Sequence, residues 1–323
     1  MTSVKSFRLP RELALVPAIV LVIAAFAIIN PNFIRIQNLN TVLIGLAFIG
    51  IVAVGQTIVV ITGNFDLSVG STAALTAVVG AELMSAGVPI PLAILAMFAT
   101  GVLVGLVNGL VTILGVPSFI VTIATLYVTG GIALFITGGQ PVYPLPPELT
   151  AVGSARPMGV SIPFLFLLLL VIAVTCYLQY TRSGRRLYAV GGAPDVAKLI
   201  GLSPRRVVLG AFIFCSLTAA TAGLFQMAAL NSASNTIGSG WELSSIAAVV
   251  IGGASIFGGS GSPIGTVLGA LLLGLVSNGL VAAGVPANWQ TLAVGAIMIA
   301  AVSVDLVRRR GSGLPLLRRR AVG

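Results

Sequence analysis

The sequence predicts an all-α integral membrane protein with about ten transmembrane helices arranged in two inverted-topology repeats. Three observations carry this expectation. The chain is 57% apolar and 7% charged over 323 residues, against roughly 25% charge in soluble domains. Apolar runs of the length that crosses a bilayer, about 20 residues, succeed one another between Pro, Gly, Asn and charge. A segment also recurs: "GLVNGLVTILGVP" (105–117) resembles "GLVSNGLVAAGVP" (274–286), with Asn108-Gly109-Leu110-Val111 returning as Asn278-Gly279-Leu280-Val281.

The expected spans are 13–29, 40–61, 68–86, 90–113, 117–137, 161–180, 207–230, 243–257, 264–283 and 289–307. The first follows Lys5, Arg8 and Arg11 but has no small-residue cleavage motif, so it reads as a retained span rather than a signal peptide. The third and eighth each open just after a Gly-containing polar stretch that holds an acid, and a re-entrant or broken helix fits there. The remaining runs are long and unbroken, which excludes the alternating pattern of a β-barrel. "GGASIFGGSGSPIGT" (252–266) is Gly-rich without a cation and reads as a tight interhelix connection. One transmembrane domain therefore covers 1–323, with repeat one at roughly 40–137, repeat two at roughly 207–307 and a connecting loop over 181–206.

The net charge of +10 reflects topology rather than a nucleic-acid surface, and no nucleic-acid partner is expected. The basic residues cluster at the N-terminus (Lys5, Arg8, Arg11), in 182–206 (Arg182, Arg185, Arg186, Lys198, Arg205, Arg206) and at the C-terminus (Arg308, Arg309, Arg310, Arg318, Arg319, Arg320). Positive charge marks cytoplasmic segments, and six and then four spans separate the clusters, so both termini and the 181–206 loop fall on the cytoplasmic side. Arg35 and Arg156 fall outside, the latter in the Pro-rich connection 138–163. The terminal Arg runs also suit a partner's acids or anionic membrane lipid.

"GNFDLSVGS" (63–71) has a fainter echo in "GSGWELSSI" (238–246), so Asp66 and Glu242 take corresponding places, each at a polar break before an apolar helix. The repeated units lie five spans apart, and an odd number inverts the second copy, a pattern of transporters. That would set the two acids toward opposite membrane faces. Asn64, Phe65, Asp66 and Ser68 in the first break, with Glu242 and Ser244 in the second, are the candidates. They either shape the breaks, the acids capping the helix that follows, or line a substrate path.

Several chemistries are excluded. There is no histidine, so no Ser/His/Asp triad and no ordinary zinc site can be built. Cys176 and Cys215 both lie in apolar runs and support neither a disulfide framework nor a metal cluster. The lysines, Lys5 and Lys198, do not follow Gly as a P-loop requires, so no catalytic residue, metal or cofactor is expected in this chain. Within the 181–206 loop a short helix from Pro194 to Gly201 is expected, Pro and Asp195 opening it and Gly201 ending it. Val196, Leu199 and Ile200 would form a small apolar face, suited either to docking or to a solvated connection.

The chain resembles the permease subunits of bacterial ATP-binding-cassette importers for monosaccharides, the ribose-type group. The motifs that carry this are "NPNFIRIQNLNTVL" (30–43), "VGQTIVVITGNFDLSVGS" (54–71), "PSFIVTIATLYVTGG" (117–131), "GRRLYAVGGAPDVAKLIGL" (184–202) and "WELSSIAAVVIGGASIFGGSGSPIGTVLGA" (241–270), in this order over nearly the full length. The resemblance implies a multi-pass protein of the bacterial inner membrane that moves a monosaccharide or small polyol inward. It implies a second permease copy or paralogue, a cytoplasmic ATPase subunit that supplies ATP and Mg, and a periplasmic or lipid-anchored sugar-binding protein. Gly184, Arg185, Tyr188, Gly191, Gly192, Asp195, Leu199 and Gly201 would then belong to the ATPase-coupling loop. Two positions depart from the usual pattern: Gly63-Asn64-Phe65-Asp66 stands for Gly-Gly-Ile-Asp, and Gly191-Gly192-Ala193 for Gly-Gly-Asn. They leave the cargo open. The alternatives are another small solute, such as a branched-chain amino acid or a nucleoside, and an ion-coupled secondary transporter.

Overall fold

The computed structural model describes residues 15–286 and, beyond them, positions 289, 292, 295 and 296. The basic clusters at both termini and nearly all of the span expected over 289–307 lie outside the described residues. Among those described, the chain is helical, its one β feature being an isolated bridge between Val142 and Ala233. The helices are α1 (Leu15–Ile29), α2 (Ile36–Ile61), α3 (Val69–Ser85), α4 (Ile90–Ile113), α5 (Ser118–Thr137), α6 (Pro147–Ser154), α7 (Ile162–Tyr180), α8 (Arg182–Gly192), α9 (Pro194–Leu199), α10 (Pro204–Leu230), α11 (Trp241–Ile251) and α12 (Pro263–Ala282). Six of them, α2, α4, α5, α7, α10 and α12, are long and apolar enough to cross a membrane; α1, α3 and α11 are apolar but shorter.

Local chemistry sets most of these boundaries. Pro147, Pro163, Pro204 and Pro263 stand in the first two positions of their helices, where a missing N–H costs nothing. Asn231 closes α10 in the left-handed conformation at φ 53°, a usual helix stop. Two elements go beyond the sequence expectation. α6 occupies part of the Pro-rich 138–163 connection and packs on α10. α8 forms because its residues divide into two faces, Leu187 and Val190 buried and Arg182, Arg185 and Arg186 exposed, with Thr181 Oγ1 accepting the Gly184 N–H at 2.9 Å. Conversely α11 ends at Ile251, six residues before its expected end. Beyond it Gly252 presses on Gly265 at the start of α12, so the chain must turn back there.

α2 is the central strut: from Leu46 to Ile61 every residue except Ile49 is buried. It packs on α10, α11 and α12, while α10 packs on α2, α3 and α4. α3 lies against α4 and α11 against α12. Close approach needs small residues; a Cβ on Gly105 of α4 would lie 2.6 Å from the Ile213 Cα of α10. At one end of the molecule, the end of α2 meets the 252–262 connection and α8. There the Gly259 N–H donates to the Ile61 carbonyl at 2.9 Å and the Tyr188 hydroxyl to that of Gly261 at 2.9 Å. This basic end carries Arg182, Arg185, Arg186, Lys198, Arg205 and Arg206. α2, α4 and α11 run toward it; α3, α10 and α12 run away. The opposite end is tied by the Asn30 amide donating to the Ala282 carbonyl at 2.7 Å and by the Leu145 N–H donating to Asn231 Oδ1 at 3.0 Å.

Candidate functional site

The break between α2 and α3 is built around Asp66, which is fully buried. Gly63 makes the turn at φ 80°, a conformation that favours glycine. Asn64 donates to Thr62 Oγ1 at 3.0 Å, and the Phe65 N–H to Ser118 Oγ at 3.2 Å. Asp66 Oδ1 accepts from the Ser68 N–H at 2.9 Å and from the Ser68 hydroxyl at 2.6 Å, the pattern of a side chain that closes its own turn. Ser68 is the cap residue of α3 and makes no side-chain cap bond. The Asp66 carboxylate is thus directed at Ser68, not at the free N–H groups of the first turn of α3.

Around this turn a polar network crosses four elements. Asn108 of α4, fully buried, donates to Ser68 Oγ at 2.9 Å and faces Asp66 Oδ2 at 3.5 Å. Its Oδ1 accepts from Thr125 Oγ1 of α5 at 2.6 Å. The Gln56 amide of α2 meets the Asp66 backbone with its nitrogen 3.2 Å from the carbonyl and its oxygen 3.1 Å from the N–H, in the orientation that satisfies both. Among the described residues the ion pair present is Lys198–Asp195 at 3.1 Å, so hydrogen bonds rather than a cation surround Asp66. Buried polar groups cost several kcal/mol, of order 2–7, unless so bonded.

The second break, residues 231–240, delivers the chain to α11. Gly240 opens that helix at φ 80°, and Glu242 sits half-buried in its first turn, with Ser244 one turn along, its N–H donating to the Gly240 carbonyl at 3.1 Å. The two breaks meet here. A Cβ on Gly70 would touch the Gly238 carbonyl and lie 2.7 Å from Glu242 Oε2. The expected separation of the two acids toward opposite faces gives way to contact of Glu242 with the first turn of α3. A cavity of about 250 Å³ opens at this junction, with Ser71, Tyr127, Asn235, Ser239 and Glu242 among its polar lining. Glu242 lines it; Asn64, Phe65, Asp66 and Ser68 do not.

The 181–206 loop divides in two by exposure. In α8, Gly184 rests on the Leu178 backbone of α7, Gly191 on the Ile61 carbonyl of α2, and Tyr188 is bonded to Gly261. These three are internal contacts that seat α8. Arg185, Gly192, Asp195 and Gly201 are exposed, as are Val196, Leu199 and Ile200 of α9 and its end, at 57%, 86% and 68%.

Residues passed over in the sequence complete this picture. Gln56 and Asn108 are amides within apolar spans, and such groups seek a partner in the protein interior. Ser118, Thr122, Thr125 and Thr129 recur at three- and four-residue spacing and form one buried polar edge of α5. That spacing was available as a signal. Ser71, Tyr127 and Ser239 lie within quoted motifs but nothing in their residue type or spacing singles them out there, and Asn235 lies outside any motif.

A family profile described as branched-chain amino acid transport system / permease component matches residues 38–302. The Ribose import permease protein RbsC of Escherichia coli (strain K12) is 36% identical over 293 residues, 89% of this chain and 91% of that protein. The Autoinducer 2 import system permease protein LsrD of Escherichia coli (strain K12 / DH10B) is 35% identical over 312 residues, 93% of this chain and 94% of that protein. The Probable ABC transporter permease protein y4mJ of Sinorhizobium fredii (strain NBRC 101917 / NGR234) is 36% identical over 297 residues, 91% of this chain and 89% of that protein. No solved structure matches the chain.

Proposed function

This chain belongs to the permease-component family that holds those import permeases, and from that membership we propose that it forms the translocation path of an ATP-driven importer for a monosaccharide or related small polyol. The observation that carries the reading is similarity over about nine-tenths of both chains to a permease whose name specifies ribose. The geometry supports a neutral cargo: Glu242 is the one charged residue lining the junction cavity, beside hydroxyls and an amide. An amino acid would want a cation there for its carboxylate. Ser71, Tyr127, Asn235 and Ser239 offer the donors and acceptors that sugar hydroxyls need.

Each copy in this reading is built of two inverted halves, α2–α4 and α10–α12. Support comes from matching contacts: α2 on α12 mirrors α10 on α4, α11 on α2 mirrors α3 on α10, and α3 on α4 mirrors α11 on α12. In each matched pair, α2 with α10, α3 with α11 and α4 with α12, the directions are opposite. The basic end is cytoplasmic by the positive-inside rule, with Arg35 and Arg156 at the far side, both termini inside and the protein in the bacterial inner membrane. A second permease copy or paralogue closes the path, a substrate-binding protein delivers cargo outside, and a separate ATPase carries ATP and Mg. The exposed part of the 181–206 loop, Arg185, Asp195, Val196 and Leu199, docks that ATPase. Gly184, Tyr188 and Gly191 hold α8 in position for it.

The test is co-purification from native membranes of the full chain and its Val196→Glu/Leu199→Glu variant. Both positions are exposed, so the variant should insert and unfold like the parent. A P-loop ATPase should co-purify with the parent and be lost from the variant. If no ATPase accompanies the parent, coupling to an ion gradient takes over as the reading; if the variant keeps it, α9 is not the dock.

A further inference from the structure

A cleft of about 620 Å³ lies between α7 and α10 and shares no lining residue with the junction of the two breaks. That volume falls within the range of about 300–1,000 Å³ typical of small-ligand sites. Its floor is Ile58 of α2, and its walls are Leu170 and Val174 on one side and Ala211 and Phe214 on the other. α7 and α10 both pack on α2 and touch each other through Phe166 and Phe225, whose rings lie 5.3 Å apart, so the cleft opens sideways between two apolar helices along the rest of their length. At its basic end it is roofed by α8, and there the lining changes character, to Ser183, Arg186 and Arg206.

We propose that this cleft binds one anionic phospholipid, an acyl chain lying between α7 and α10 and the phosphate held between Arg186 and Arg206. Both ends of the cleft point to such a molecule. The walls are hydrocarbon where acyl chains run, while the two guanidinium groups stand where a membrane-spanning helix meets the surface. Among the described residues neither arginine is paired with a carboxylate, the ion pair present being Lys198–Asp195. Arginine's planar fork suits phosphate oxygens, and basic pockets between transmembrane helices recognise acidic headgroups. α8 itself is built like an interfacial helix, with Leu187 and Val190 inward and arginines outward. A soluble phosphate would leave the apolar walls unused, and a zwitterionic lipid would not need two cations. The bound lipid would fill the space beneath α8 and brace it against α10. This site depends on the chain lying in a bilayer and not on the identity of its cargo.

Native mass spectrometry of the full chain, titrated with phosphatidylglycerol or phosphatidylcholine in detergent, tests the proposal. The parent should retain one phosphatidylglycerol saturably and prefer it to phosphatidylcholine. Arg186→Gln/Arg206→Gln should bind it about 25-fold more weakly, two cations each contributing a factor of about five toward an acidic headgroup. Arg186→Lys/Arg206→Lys should restore most of the affinity, which separates charge from misfolding. Gly210 lines the cleft, and a Cβ there meets nothing within 4 Å. Gly210→Phe should therefore fill the space without disturbing the fold and displace the lipid with both arginines intact. Equal retention of the two lipids, or unchanged phosphatidylglycerol binding in both the Gln pair and Gly210→Phe, would overturn the proposal. So would loss of ATPase co-purification in Gly210→Phe with lipid binding untouched, since the cleft would then house a partner's segment.

Discussion

Asp66 keeps a place among apolar helices because its neighbours supply what water would have supplied. Ser68 donates twice to it, Asn108 stands at its other oxygen, and Gln56 holds its backbone. Asp66→Leu strands the Ser68 N–H and hydroxyl and loosens Asn108, and buried unsatisfied groups cost about 1–3 kcal/mol each. Asp66→Asn keeps an acceptor for Ser68 but turns an amide toward the Asn108 amide. The leucine variant should therefore lower the thermal midpoint of the solubilised protein by clearly more than the asparagine variant; equal losses would mean that the negative charge itself is required. Thr125→Val preserves shape and removes the donor to Asn108 Oδ1, so it should cost about 1 kcal/mol in the same measurement. No loss there would show the Asn108 link to be idle.

The helix pair α8 and α9 sets internal contacts beside exposed surface in the chain. Gly191 is a contact inside the molecule: a Cβ there would strike the Ile61 carbonyl and lie 2.9 Å from the Gly259 nitrogen, both backbone atoms that cannot swing aside. Overpacking of this kind costs about 1–3 kcal/mol, so Gly191→Val should lower stability and displace α8 from the end of α2. Leu199 is 86% exposed, so Leu199→Glu should change stability by less than about 0.5 kcal/mol and, under the docking role proposed for α9, weaken capture of an ATPase. Thermal midpoints and co-purification of the two variants separate seating from docking. A destabilised Leu199→Glu, or a Gly191→Val of parental stability, would reverse the assignment.

Taken together, the halves interlock rather than stand side by side. α2 of the first half is buried by α10, α11 and α12 of the second, and the Thr57 and Thr266 hydroxyls meet across α2 and α12 at 2.7 Å, fully buried. Contacts of this kind resist sliding of one half on the other, so in the proposed importer the path would open and close between two copies of the chain. Thr57→Cys/Thr266→Cys, made in a background with Cys176 and Cys215 replaced by Ala, should form a disulfide on oxidation and leave sugar-stimulated ATP hydrolysis unchanged. Loss of that stimulation on oxidation, regained on reduction, would mean that the halves slide within each copy.

That the chain is helical and dominated by apolar helices follows from composition, because only helices satisfy their own backbone in a bilayer. The number able to span does not follow, since ten were expected and, among the described residues, six are long enough while α1, α3 and α11 are shorter. The spans expected from 207 and 264 begin within three residues of the observed starts at Pro204 and Pro263, and the polar interruptions before α3 and α11 and the basic loop were legible in the sequence. The pairing of Gln56 with the Asp66 backbone, the inward turn of Gly191, the meeting of Gly70 with Glu242 and the cleft between α7 and α10 were not. A soluble helix announces its buried side by a polar opposite face. In a bilayer both sides are apolar, so the periodicity that would say which residues face one another is erased, and only packing among the helices supplies it.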